Sequence, residues 1–141
     1  MKIIRKNKIA ALLLSAVMVA SCATISLFDQ HAYERTTSLK VDALHVMSAA
    51  TEDYAAHVQD IETLQLNLQK AYEYEKNRPN NDITTQMWAL LLNPEEHLLG
   101  GFFTLWKEEG KLGETAVSRS KQQVGEAFDK IAGLESKKIK K

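Results

Sequence analysis

The feature that most constrains this fold is a stretch from Leu27 to Arg78 that contains neither glycine nor proline. Its residues are largely compatible with an α-helix, and neither of the usual helix breakers interrupts them. Mostly hydrophobic side chains recur in it at alternating intervals of three and four residues, the spacing of one helix face. This stripe comprises Leu44, Met47, Thr51, Tyr54, Val58, Ile61, Gln65, Leu68 and Tyr72, flanked by Ala43, Ala50, Leu64 and Ala71.

The stretch predicts a long N-terminal helix that bends. A straight helix over residues 30–76 would be about 70 Å long at 1.5 Å per residue, roughly twice the diameter of a compact domain this size. Thr51, followed by Glu52 and Asp53, is the favoured position for the bend. The reason is that Thr can cap a helix and acids suit the first helical turn.

Two short helices are expected next. Residues 77–82 read Asn-Arg-Pro-Asn-Asn-Asp, a composition typical of a loop, and Asp82 can cap a short helix that runs through Leu92. Asn93-Pro94-Glu95-Glu96 then has the pattern of a second helix start. Gly100-Gly101 is expected to weaken or split that second helix, and Gly110 to end it.

Helical spacing of hydrophobic side chains resumes over residues 114–136, and no segment alternates apolar and polar residues for long enough to predict a strand. We therefore predict an all-α fold. It is a small antiparallel helical bundle with one long N-terminal helix, two short central helices and a long C-terminal helix.

The beginning of the chain has the three parts of a secretory signal. A basic stretch to Lys8 precedes an apolar run over residues 9–19, which is too short for the roughly 20 residues of a membrane-spanning helix. The segment Val19-Ala20-Ser21-Cys22 resembles the lipobox of bacterial lipoproteins. The resemblance implies attachment of diacylglycerol to the Cys22 thiol, cleavage before Cys22, and acylation of the new amino terminus with a fatty acid such as palmitate. An ordinary secretory signal or an uncleaved anchor is the alternative.

Lipid on Cys22 implies a membrane location, because several acyl chains together hold a protein on a bilayer almost permanently. Ala23 stands where enteric lipoproteins retained at the inner membrane carry Asp, so the resemblance implies the outer membrane, periplasmic side. The expected organisation is a signal peptide over residues 1–21, a short tether over 22–29, a helical domain over 30–136 and a basic tail over 137–141.

Charge and cysteine content exclude several classes of function. Without residues 1–21 the chain has 14 basic and 18 acidic residues, a net charge of −4. An acidic domain is not a general nucleic-acid binder. A single cysteine permits neither a disulfide framework nor a cysteine-rich zinc site.

Asp53, His57 and Asp60 are the only metal candidates that the spacing suggests. They lie at i, i+4 and i+7, which would place two carboxylates and an imidazole on one face of a helix. The alternative is an ordinary solvated face, and the sequence predicts no cofactor.

An aromatic group comprises Trp88, Phe102, Phe103 and Trp106. These side chains either pack in the core or leave an apolar patch exposed, on which another protein or the bilayer surface would dock.

The favoured function is a membrane-anchored periplasmic lipoprotein with a structural or protein-binding role, whose partners are the membrane, through Cys22, and an envelope protein. The alternatives are a metal-binding or hydrolytic accessory enzyme and a peptidoglycan tether. Lys141 resembles the terminal lysine that joins the small coiled-coil lipoprotein of enteric bacteria to peptidoglycan. The lysine-rich tail is also suited to lie on anionic lipid.

Overall fold

The computed structural model describes residues 25–138, in which five α-helices form an antiparallel bundle without a strand. The predicted all-α class is confirmed. The helices are α1 (Gln30–Ser48), α2 (Val58–Lys76), α3 (Asp82–Leu92), α4 (Leu99–Glu109) and α5 (Glu114–Lys137). Within residues 25–138, no helix is both long enough and apolar enough to cross a membrane.

The predicted long N-terminal helix is divided into α1 and α2, at the place where the bend is expected. Two short 3₁₀ turns, Ala49–Thr51 and Tyr54–Ala56, connect the two helices. Backbone groups of this connection pair with the chain after α4, because the Tyr54 N–H donates to the Gly110 carbonyl at 2.7 Å and the Ala50 carbonyl accepts from Leu112 at 2.7 Å. The N-terminal stretch is therefore a helical hairpin, and α1 packs against α5 as predicted.

The second short helix begins later than the sequence suggests. The expected start at Asn93 is wrong: the Asn93 side chain accepts a hydrogen bond from the Glu95 N–H at 3.0 Å and forms a turn, and α4 begins at Leu99. Gly100-Gly101 lies in the first turn of α4 and brings it against the preceding backbone. Gly110 ends α4 as predicted, with a φ of +77° that favours glycine.

Candidate functional site

A buried polar cluster occupies the end of the bundle where the described chain enters at Ile25. It joins the segment before α1, the α2–α3 loop and the last turns of α2 and α5. Its members are Ser26, Asp29, Tyr74, Glu75, Arg78, Asn81, Glu135 and Lys138.

Two acids of the cluster are buried because they continue hydrophobic stripes. Glu75 follows Ala71 by four residues on α2, and Glu135 follows Ile131 by four residues on α5. Their exposed fractions are only 3% and 2%. Because a buried carboxylate costs several kcal/mol unless it is paired, both acids need partners nearby.

Arg78 is the main partner of both acids. Its Nη1 donates to Glu75 at 2.9 Å and to Glu135 Oε2 at 3.0 Å, and its Nη2 donates to Glu135 Oε1 at 2.8 Å. The contact with Glu135 is therefore bidentate, the strongest geometry available to a carboxylate. Nη2 also donates to the Leu27 carbonyl at 2.7 Å, which connects the entering chain to the bundle.

Lys138 and Asn81 complete the cluster. The Lys138 ammonium donates to Glu135 Oε2, to Ser26 Oγ at 2.6 Å and to Asn81 Oδ1 at 3.0 Å. The Asn81 amide donates to the Glu75 side chain and backbone carbonyl. With the Asp29 N–H donating to Oε1 at 2.7 Å, Glu135 accepts four hydrogen bonds, which uses all the lone pairs of its carboxylate.

Asp29 caps α1 and connects it to α2. Its Oδ1 accepts from the Ala32 N–H at 3.0 Å, the usual N-cap contact, and its Oδ2 accepts from the Tyr74 hydroxyl. The hydrogen bond from Tyr74 lowers the pKa of the Asp29 carboxyl against the opposing effect of burial, and the same bond raises the pKa of the Tyr74 hydroxyl.

Arg78 and Glu135, the central pair of the cluster, have pKa values that are shifted in opposite directions. Burial is the largest single influence and opposes the charged form of each group, but the hydrogen bonds and charges of all the partners together outweigh it. The pKa of Glu135 is lowered, with added help from the donors on Lys138 and Asp29. The pKa of Arg78 is raised by Glu135 and by the charge of Glu75, so the guanidinium keeps its proton. Arg78 and Glu135 therefore form an ion pair throughout the neutral range.

The lowered pKa of Glu135 predicts loss of stability in acid. Its ordinary value is 4.5, so the unfolded chain takes up this proton first as the pH falls. The stabilisation is complete above about pH 4.5 and is lost below it, as the pH passes through the lowered pKa of the folded state. Urea unfolding at pH 7, 5 and 3 should show that the difference in free energy of unfolding between the wild type and the less stable Glu135→Gln variant becomes smaller towards pH 3. A gap that widens towards pH 3 would contradict this prediction. Glu126→Gln, an exposed change on α5, is the control.

The cluster changes the expected domain boundaries. Residues 22–29 were expected to be a tether, but Ser26, Leu27 and Asp29 contact the bundle through side-chain and backbone hydrogen bonds. Residues 137–141 were expected to be a tail, but Lys137 ends α5 and the Lys138 side chain is 8% exposed. The chain is therefore fixed to the bundle from Ser26 onward.

The predicted docking patch is wrong, because Trp88, Phe102, Phe103 and Trp106 are all buried in the core. The Trp88 ring meets Phe128 edge to face at 5.9 Å. The Trp106 Nε1 donates to the Glu52 carbonyl at 3.0 Å and so fixes the α1–α2 connection. These aromatics close the hydrophobic core instead of facing a partner.

The weak metal candidates Asp53, His57 and Asp60 do not share one helix face. Asp53 and His57 lie in the α1–α2 connection, and only Asp60 lies on α2. His57 Nε2 is 2.8 Å from Glu52 Oε2. Among residues 25–138, no group of three or more His, Cys, Asp or Glu side chains is placed to hold a metal ion.

His57 and Asp60 instead line an open groove of about 520 Å³ between α1 and α2, together with His45 and Asp42. The groove lies at the end of the bundle opposite the buried polar cluster, because it contains the last turn of α1 and the first turn of α2.

Cys22 and Lys141 lie outside the described residues. Comparison with known protein families, curated proteins and solved structures gives no match. Any assignment of function therefore depends on the residues of this chain.

Proposed function

We propose that this protein is a lipoprotein of the outer membrane, held there through Cys22, with a structural or protein-binding role on the periplasmic side. The observation that carries the proposal is the segment Val19-Ala20-Ser21-Cys22, which resembles a lipobox and ends three positions before Ile25, the first residue that the structure describes.

The short connection supports a role that depends on position. Three residues span at most about 11 Å when fully extended, so lipid on Cys22 would hold Ile25 within that distance of the membrane surface. The hydrogen bonds of Ser26, Leu27 and Asp29 with the bundle leave little freedom beyond this point. A domain attached in this way has a defined end towards the membrane and a defined end towards the periplasm.

The use of charged groups supports a structural rather than catalytic role. The buried side chain of Arg78 donates hydrogen bonds to Glu75 and Glu135, and the four acceptor sites of Glu135 are filled. A catalytic carboxyl needs a free acceptor site that faces its substrate. The groove of His45 and His57, at the periplasmic end in this arrangement, is the surface that we assign to an envelope partner.

Replacing Cys22 with Ser should abolish incorporation of labelled palmitate and leave an uncleaved precursor, because the thiol is the acceptor of diacylglycerol. Ser21→Ala is the matched control, since it keeps a small residue in the lipobox and should label like the wild type. Equal labelling of Cys22→Ser and the wild type would show that the anchor is wrongly assigned.

The same cells test the binding role. A photo-crosslinking amino acid at Asn67, in the groove, should give a defined crosslinked band that one at Lys130, on α5 outside the groove, does not give. If neither position gives a band, or both give the same bands, the groove is not the partner surface.

A further inference from the structure

Hydrophobic side chains are exposed around the buried polar cluster, on its outer side. Ile25 is 43% exposed, Leu27 87% and Ile83 64%. Ile25 and Ile83 line a shallow cavity of about 300 Å³, together with Leu134 and Lys137. Side chains of this size lose favourable free energy when they stay in water, so a group of them at one end of a bundle indicates a contact surface. We call Ile25, Leu27, Ile83 and Lys137 the anchor-end surface.

One exposed basic side chain lies beside these hydrophobic side chains. Lys137 is exposed at the end of α5, whereas Lys138, which lines the same cavity, is paired with Glu135. Asp82 is the one carboxylate among the described residues that line the cavity. Lys140 and Lys141 follow in the sequence within three residues of Lys138. Residues 137–141 thus contain four lysines and no acid, whereas the chain after residue 21 has a net charge of −4.

The anchor-end surface is also the part of the domain nearest to Cys22, since Ile25 belongs to it and lies three residues away. The helix α1 begins at this end and extends about 28 Å away from it at 1.5 Å per residue. Ile25 therefore lies within about 11 Å of an acylated Cys22. The exposed hydrophobic and basic side chains of the anchor-end surface match the two layers of a bilayer surface, acyl chains and anionic head groups.

We infer that the anchor-end surface rests on anionic phospholipid, with Ile25, Leu27 and Ile83 entering the head-group region and Lys137 contacting lipid phosphate. This inference rests on the proposed lipid anchor at Cys22. The buried polar cluster holds residues 26–29 and the end of α5 in one rigid unit, so the contact fixes the direction of the bundle. The groove of His45 and His57 then faces away from the membrane.

Lipid on the Cys22 thiol makes one introduced cysteine the sole free thiol of the chain, which allows a fluorescent probe to be placed selectively. Ile83→Cys places the probe on the anchor-end surface. Leu105→Cys is the matched control, because Leu105 is 45% exposed and adjoins Trp106, whose indole contacts the α1–α2 connection at the opposite end. Both lipidated full-length proteins are reconstituted into vesicles that carry spin-labelled quencher lipid, with or without phosphatidylglycerol.

The lipidated protein should float with the vesicles, and the probe at position 83 should be quenched while the probe at position 105 is not. Quenching at position 83 should be stronger with phosphatidylglycerol than with phosphatidylcholine alone. Lys137→Glu should lower the ratio of contacting to free domain by at least about five-fold on the anionic vesicles, since one lysine near such a surface contributes about that factor. Lys107→Glu, the same charge change at an exposed position of α4, should leave this ratio unchanged.

Different failures have different meanings. Protein that does not float refutes the anchor, and the inference with it. Protein that floats while the probe at position 83 stays unquenched refutes the lipid contact and leaves the anchor standing. A disulfide between two copies of unlabelled Ile83→Cys protein, together with an unquenched probe on the labelled protein, means that the anchor-end surface meets a second copy of the chain and also refutes the inference. Equal quenching on both vesicle types refutes the part assigned to Lys137.

Discussion

Replacing Arg78 with Ala is expected to lower the free energy of unfolding by about 3–5 kcal/mol. The side chain of Arg78 is 10% exposed, and those of Glu75 and Glu135 are 3% exposed. Without the guanidinium, the ammonium of Lys138 would be the remaining cation beside two buried carboxylates. It forms an ion pair with Glu135 but not with Glu75, so Glu75 would lose its ionic partner. An unpaired buried charge is costly, so the loss is much larger than the worth of one hydrogen bond.

The matched control is Lys40→Ala, which breaks the ion pair between Lys40 and Asp129 on the surface. The side chains of that pair are 28% and 64% exposed, so its loss should cost no more than about 1 kcal/mol. Arg78→Lys keeps the charge but not the bidentate contact with Glu135. Its loss in free energy of unfolding should therefore lie between those of Arg78→Ala and Lys40→Ala. Urea unfolding followed by circular dichroism measures all three variants. Equal losses for Arg78→Ala and Lys40→Ala would mean that the buried polar cluster does not stabilise the fold.

The helices could be predicted from the sequence because their signals are local. The spacing of hydrophobic residues over 114–136, the loop at 77–82 and the glycine at position 110 each depend on neighbours within a few residues. That the N-terminal stretch is divided follows from its length, since a helix of about 70 Å does not fit a compact domain of this size. The position near Thr51 is predicted from the residue types Thr51, Glu52 and Asp53.

The buried polar cluster could not be predicted in the same way, because its contacts join distant parts of the chain. Arg78 and Glu135 are 57 residues apart, and Asp29 and Glu135 are 106 apart. The only local signal is that Glu75 and Glu135 each stand four residues after a buried position, where a hydrophobic side chain is expected. An acid at such a position indicates a buried partner but does not say which cation supplies it.

The aromatic group shows a different limit. Large side chains beside a Gly-Gly pair suit a core and an exposed patch equally well, and only the placement of α3 and α4 against α5 decides between them. The structure buries Trp88 against Phe128 on α5. The hydrophobic side chains of the anchor-end surface, Ile25, Leu27 and Ile83, are scattered in the sequence and carry no shared motif.

Gly101→Ala is expected to destabilise the protein by about 3 kcal/mol, through the close approach of α4 to the turn that precedes it. A Cβ at position 101 would lie 1.8 Å from the Glu96 carbonyl oxygen, and one at Gly100 would lie 2.2 Å from the Leu92 carbonyl oxygen. Both obstacles are backbone atoms, so a rotamer change cannot relieve the overlap. The start of α4 would have to move, and Phe102 and Phe103, which follow directly and are buried, would move with it.

Gly133→Ala is the control that separates this packing effect from the general preference of helices for Ala. Gly133 lies within α5, and a Cβ built there meets no atom within 4 Å. Ala should therefore raise the free energy of unfolding by about 0.5–1 kcal/mol, because glycine loses more backbone entropy on folding. Urea unfolding of the two variants should thus shift the midpoint in opposite directions. A midpoint for Gly101→Ala that is unchanged or rises would show that α4 can begin without a close approach at position 101, and that Asn93-Pro94-Glu95-Glu96 does not need glycine after it to form its turn.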